Sequence, residues 1–205
     1  ENDGTNACVF LAMGIGDAFL QKVRKPGNVS WDDLVTLAEE VTSNLPSQFN
    51  DKRDPSKLYE PAEAKTLLQE NNQLTNHYDL SEECVSANGV FTEKGRQELL
   101  DALLNHQQEN KHRTGLYTCS PYTFLVGIYN SSYFVLDTHP VGEELGGNGQ
   151  GILVASDDLT SRSCTLLIQW ILKRLKASGL SGSEAQSFAW LMPVIETQDT
   201  AAQLL

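Results

Sequence analysis

Tyr133-Phe-Val-Leu-Asp-Thr-His-Pro140 reads as a short apolar strand that ends in an aspartate and a histidine two positions apart. Residues i and i+2 of a strand lie on one face. Asp137 and His139 therefore project side by side at a strand end, where a carboxylate can hold one imidazole nitrogen and leave the other free. An imidazole oriented in this way supplies the acid and base of a three-part catalytic constellation; the missing part is a nucleophile.

Outward from this stretch the sequence changes character twice. Immediately before it, Pro121–Tyr129 is aromatic and β-branched, and Asn130-Ser-Ser132 is a turn, which predicts a β-hairpin over 121–138. After it, Val141–Gly151 is a glycine-rich loop and Ile152–Ala155 a third strand. Asp157 or Asp158 then caps a helix to about Lys176, with Leu166, Leu167, Trp170, Ile171 and Leu175 on its core face. Gly179–Ser183 reads as a turn, Phe188–Ile195 as a last strand and 196–205 as a tail.

Upstream, residues 8–23 predict a helix with almost no polar face, as in helices buried in the middle of a domain. Gly14 and Gly16 lower its helix propensity and are tolerable where something packs close to the backbone. Ser30 caps a second helix, Trp31–Leu45, which Pro46 is expected to stop. Pro61 opens a helical segment to about Leu74, residues 75–90 read as irregular, and Thr92 caps Glu93–Gln107. Residues 27–113 thus read as a mainly helical block between the first helix and the strands. There are no internal repeats.

A chain of 205 residues suits one domain, taken as 1–205 with 27–113 as its helical lobe. Its net charge of −12 argues against direct nucleic-acid binding, which needs a basic footprint, and permits attraction to a partner with a basic face. No apolar run approaches a membrane span, so no membrane partner is expected. No signal-peptide pattern is read, and the abrupt start at Glu1 fits an excised domain. Cys8, Cys84, Cys119 and Cys164 are scattered without a C-x-x-C pair, which disfavours a zinc site or disulfide framework and fits a reducing, intracellular compartment, cytoplasmic or nuclear.

Cys8 is the candidate nucleophile. It stands where the polar segment Glu1–Ala7 becomes an apolar helix, and a helix N-terminus favours an anion. Thiols in such places, or beside an imidazolium, ionise well below the ordinary value of about 8.5. His139 would complete the ion pair and Asp137 would orient the ring. The backbone N–H of Cys8 and the side chain of Asn6 are candidate oxyanion donors. Each residue also has a plain structural explanation. Cys8 can be a small buried hydrophobe, Asp137-x-His139 a surface turn, and Asn6 an ordinary residue near a helix start. His77, His106 and His112 lie in polar settings and read as solvated. Cys84, Cys119 and Cys164 lack a matching base and read as packing residues.

The islands Gly4-Thr-Asn-Ala-Cys-Val-Phe-Leu11 and Phe134-Val-Leu-Asp-Thr-His139, with the following Leu145-Gly-Gly-Asn-Gly149 loop, resemble the herpesvirus-tegument-type deubiquitinases, and more closely their non-viral relatives. The resemblance covers about a third of the chain and leaves out 27–113. It implies an α+β, papain-like cysteine protease fold, with a central buried helix packed on a small antiparallel sheet. It implies a deubiquitinase that cleaves the isopeptide bond after the C-terminal glycine of ubiquitin through a thioester, with Cys8, Asp137 and His139 as its triad. The viral members take an oxyanion glutamine from upstream of the cysteine. No glutamine precedes Cys8 here, so either Asn6 substitutes or that donor is missing.

Ubiquitin ends in Leu-Arg-Gly-Gly, which calls for a narrow cleft. Pro140 and the backbone around Gly146 and Gly147 are candidates for one wall, a mobile loop being the alternative. Glu143 and Glu144 can pair with the arginines of the tail or simply be solvated. No cofactor or metal is implied, ubiquitin or polyubiquitin is the expected partner, and a monomer is expected. Two competing readings use the same residues. One is papain-fold chemistry on a ubiquitin-like modifier or another amide; the other is a non-catalytic ubiquitin-binding module.

Overall fold

The computed structural model describes residues 6–86, 89–105, 112–182 and 184–194, with only the backbone of 82–86. Five helices are formed among these: α1 (Cys8–Val23), α2 (Trp31–Phe49), α3 (Pro61–Glu70), α4 (Glu93–Leu104) and α5 (Ser161–Ala177). Six strands, β1 (Tyr78–Ser86), β2 (Arg113–Cys119), β3 (Tyr122–Tyr129), β4 (Ser132–Asp137), β5 (Ile152–Ala155) and β6 (Gln186–Pro193), make one sheet in the order β1-β6-β2-β3-β4-β5. Every pairing is antiparallel.

The period of two along the strands divides the core into two layers. Leu116, Leu125, Phe134, Leu136 and Leu191 face α1, α2 and α3. Tyr117, Phe124, Val126, Tyr133, Val135 and Trp190 face α4 and α5. Both faces of β3 and β4 are therefore covered, which is why their sequences are continuously apolar. Asp137 continues the Tyr133–Val135 series, so the alternation alone sends its side chain toward the α5 layer.

Helix α1 is buried along most of its length, as its sequence predicts. Its glycines are contact points. A Cβ on Gly14 would lie 2.6 Å from the Leu45 side chain, and one on Gly16 about 3.0 Å from Leu191 and 3.1 Å from Leu125. The expected caps of α2 and α4 are present: Ser30 Oγ accepts from the Asp33 N–H at 3.1 Å, and Thr92 Oγ1 from the Gly95 N–H at 3.0 Å. Helix α5 is capped by Thr160, whose Oγ1 accepts from the Ser163 N–H at 3.2 Å. Asp158 instead accepts from the N–H and hydroxyl of Thr160.

Three further sequence expectations are corrected. Helix α2 runs through Pro46 to Phe49. An interior proline costs about 3 kcal/mol through its lost N–H bond and steric clash. Here Leu45, Pro46 and Phe49 are buried, and the Phe49 ring stacks on Phe10 at 4.7 Å, so packing outweighs that cost. Second, residues 78–86, read as irregular, form β1. Among the described residues it pairs only with β6, and its charged composition is that of a strand that must not pair further on its open side. Third, β2 begins at Arg113, the last residue of the stretch that reads as a mainly helical block. Its Gly115 weakens the strand signal but is required, because a Cβ there would lie 2.8 Å from the Phe188 ring. The stretch 27–113 is thus distributed: α2 and α3 cover one face, β1 joins the sheet and α4 covers the other face.

Candidate active site

Cys8 is the first residue of α1, and no side chain caps this helix start. The first N–H groups of a helix have no intrahelical acceptor, and together with the aligned peptide dipoles they favour negative charge there. The Cys8 thiol is largely buried, lies 3.5 Å from the carbonyl oxygen of Pro121 at the β2–β3 turn, and lines the same cleft as His139. The imidazole is held from behind: Nδ1 is 2.6 Å from Asp137 Oδ1. A carboxylate can only accept, so Nδ1 carries the proton of that bond and Nε2 is left for the thiol. The backbone N–H of His139 donates to the same Oδ1 at 2.9 Å, which fixes the two-residue turn between acid and base. The ring is also walled by aromatic side chains, with Tyr122 edge-on at 5.0 Å and Phe124 at 6.3 Å.

Burial works against a charged imidazole here. The hydrogen bonds and charges of Asp137 and Cys8 outweigh it and raise the His139 pKa to about 9. The other thiols differ. Burial, helped by Glu184, lifts Cys119 to about 11, and burial lifts Cys164 to about 12, so both remain thiols in the core. The side chain of Cys84 and all of His106 lie outside the described residues. His77 is exposed and hydrogen-bonds Gln69, and His112 packs on Tyr129; neither lines the cavities at Cys8.

Asn6 is adjacent to Cys8 in a left-handed conformation, φ 57°, which asparagine tolerates. Its Nδ2 donates to the Pro55 carbonyl at 3.0 Å, anchoring the side chain while leaving a second amide hydrogen. Asn6, Cys8, Pro121, Tyr122, His139 and Pro140 line a cleft of about 430 Å³. It shares Thr42 and Thr138 with a groove of about 470 Å³ that runs between α2 and the β4–β5 edge, past Val35, Glu39, Ser43 and Gln150.

Gly146 and Gly147, expected to wall the cleft, are not among the residues that line it. The 141–151 loop folds on itself, with the N–H groups of Gly147 and Gly149 bound to the carbonyls of Gly142 and Val141. The Trp170 indole N–H donates to the Leu145 carbonyl at 3.3 Å and ties the loop to α5. A Cβ on Gly147 would overlap the Val141 carbonyl. Gly147→Ala is therefore expected to destabilise the protein by about 1–3 kcal/mol, read from the midpoint of urea denaturation. Glu143 and Glu144 are exposed on this loop, away from the cleft.

The sequence reading missed Arg174. This residue is on α5, with its side chain 8% exposed, and its Nε donates to Asp137 Oδ2 at 2.6 Å. It occupies a core-facing helical position, seven residues after Leu167 and three after Ile171. A cation in an apolar register was the available signal. Tyr122 was visible only as a strand aromatic.

No protein-family model and no curated protein sequence matches the chain. Solved structures do. The ubiquitin-specific protease encoded by murine cytomegalovirus tegument protein M48, crystallised with a ubiquitin-based suicide substrate, aligns with a TM-score of 0.50 at 10% identity. That alignment covers 95% of this chain and 81% of the viral one. The Pseudomonas avirulence protein AvrPphB aligns with a TM-score of 0.48 at 11% identity, over 93% of this chain and 94% of the other. Likeness at such identity concerns the fold: helices on an antiparallel sheet in the papain-like arrangement.

Proposed function

We propose that the protein is a tegument-type deubiquitinase, a cysteine hydrolase that cleaves the isopeptide bond after the C-terminal glycine of ubiquitin. The observation that carries this reading is the Cys8 thiol at a helix start, sharing one cleft with an imidazole that Asp137 holds at 2.6 Å. The chain order, with the acid two residues before the base, supports the family. The fold likeness to a viral ubiquitin-specific protease supports it further.

The proposed reaction has the following steps. Cys8 reacts as a thiolate paired with the His139 imidazolium. Its sulfur attacks the carbonyl carbon of the terminal glycine, and the carbonyl electrons move to oxygen. The Cys8 backbone N–H and Asn6 stabilise that oxyanion. As the tetrahedral species collapses, the carbon–nitrogen bond breaks and the leaving lysine amine takes the Nε2 proton. Neutral His139 then draws a proton from water, which attacks the thioester and releases a carboxylate and the thiolate. The groove beside α2 receives the tail that precedes the Gly-Gly pair, and Glu39 meets its arginine in place of Glu143 and Glu144.

A panel of ubiquitin and ubiquitin-like proteins bearing a C-terminal electrophile tests this. Covalent labelling of Cys8 by the ubiquitin probe is expected. Labelling by a ubiquitin-like probe alone would move the specificity, and labelling by none would overturn the reading. A pH profile adds a second check. The imidazolium is lost as pH rises through about 9, so kcat/KM is expected to fall across that range. Protonation of His139 also stabilises the fold, because its folded pKa lies above the ordinary 6.5. That contribution is complete below about 6.5 and is lost as pH rises through about 9.

A further inference from the structure

We propose that Arg174 is a fourth, positioning member of the site, one that sets the charge behind His139 as well as the aim of Asp137. The inference rests on the triad reading above. Asp137 is fully buried, and its two oxygens are divided: Oδ1 serves His139, and Oδ2 accepts from Arg174 Nε at 2.6 Å. The guanidinium is itself fixed, because its Nη1 donates to Ser178 Oγ and its Cζ lies 5.4 Å from the centre of the Tyr122 ring. Tyr122 in turn packs edge-on against His139. One aromatic ring thus separates the cation of α5 from the imidazole, and one carboxylate joins them.

Two consequences follow. A carboxylate held by a planar donor on one oxygen cannot turn away from the imidazole on the other. The guanidinium also offsets the negative charge that Asp137 presents to His139, so the imidazolium is stabilised less than by a lone carboxylate. The groups facing this ion pair are the Cys8 thiol from α1, the Tyr122 phenol from β3, the His139 ring after β4, and Ser178 from α5 itself. Arg174 is the cation among them that pH does not switch off in the working range.

The test needs no ubiquitin. Alkylation of Cys8 by iodoacetamide is followed by mass spectrometry of its peptide between pH 4 and 10 in the parent, Arg174→Gln and Arg174→Lys. The parent should show an acidic reactive shoulder, the mark of a thiolate–imidazolium pair, with an alkaline edge where the imidazolium proton is lost. In Arg174→Gln, which keeps a donor toward Oδ2 but removes the charge, that edge should move up by roughly one pH unit, as expected for a unit charge several ångströms away. Arg174→Lys should keep the parental edge. A purely structural arginine would lower the denaturation midpoint of both variants without moving the edge, and an unmoved or lowered edge in folded Arg174→Gln overturns the proposal. If Arg174→Gln does not fold, Ser178→Ala, which loosens the guanidinium, must move the edge in the same direction by a smaller amount; an unmoved edge there overturns it equally. Failure of the triad reading looks different, because the parent itself would lack the acidic shoulder.

Discussion

A Cys8→Ala variant is expected to fold as the parent does and to lose at least about 10⁴-fold in turnover of a ubiquitin amide. The two halves of this expectation have separate causes. The thiol contributes little to stability: its bond to Pro121 is a 3.5 Å sulfur contact, and alanine leaves the apolar wall of α1 intact. Among the described side chains its chemistry has no substitute. Cys119 and Cys164 are buried thiols whose ionisation is suppressed. Turnover by single-turnover assay, with thermal denaturation on the same sample, checks both halves. Parental activity in Cys8→Ala would sink the mechanism.

Asp137→Ala is expected to be the most damaging single substitution to stability at the site. It removes the acceptor for three donors at once: the His139 ring, the His139 backbone N–H and the Arg174 guanidinium. Leaving a buried charge without its partner costs about 3–5 kcal/mol. The molecules that remain folded keep Cys8 and His139 in one cleft. Their turnover should fall by about 10²–10⁴-fold, the usual worth of oriented acid–base catalysis, and not vanish. Denaturant titration distinguishes the stranded charge from general damage. Adding Arg174→Met to Asp137→Ala should recover part of the lost stability, because no cation is then left unpaired. If the double variant is less stable than the single, the loss has another origin.

What was legible in the sequence were the elements whose local pattern agrees with their tertiary setting. Helix α1 is apolar because it is buried, and its two glycines marked the close approach of Leu45 and Leu191. The β3–β4 hairpin is a continuous apolar run because both its faces are covered. Asp137 and His139 were readable as a pair because they are two positions apart, although β4 ends at Asp137 and it is the turn closed by the His139 N–H that brings them together. The illegible parts are those where a distant partner overrides the local signal. Pro46 continues a helix because Phe10 holds the turn beyond it, Gly115 is in a strand because of the Phe188 ring, and β1 is a strand because β6 lies beside it. Arg174 belongs with these. Its position on the apolar side of α5 was visible, but its carboxylate lies 37 residues earlier on the strand beneath.

The position of β6 has a bearing on when the protein can act. This strand, late in the chain, is interior to the sheet, between β1 and β2, and its pairs run from Tyr78 with Pro193 to Cys119 with Gln186. Until it inserts, the two sides of the sheet are unjoined and Leu191 is absent from the floor beneath α1. Non-local closures of this kind come late because the loop entropy is spent before contacts repay it. A growing chain therefore exposes Cys8 first, gains Asp137 and His139 next, receives Arg174 after them, and is clamped only by β6. On the function proposed above, a fragment that ends before β6 is expected to be inactive, and activity would then report that folding is complete.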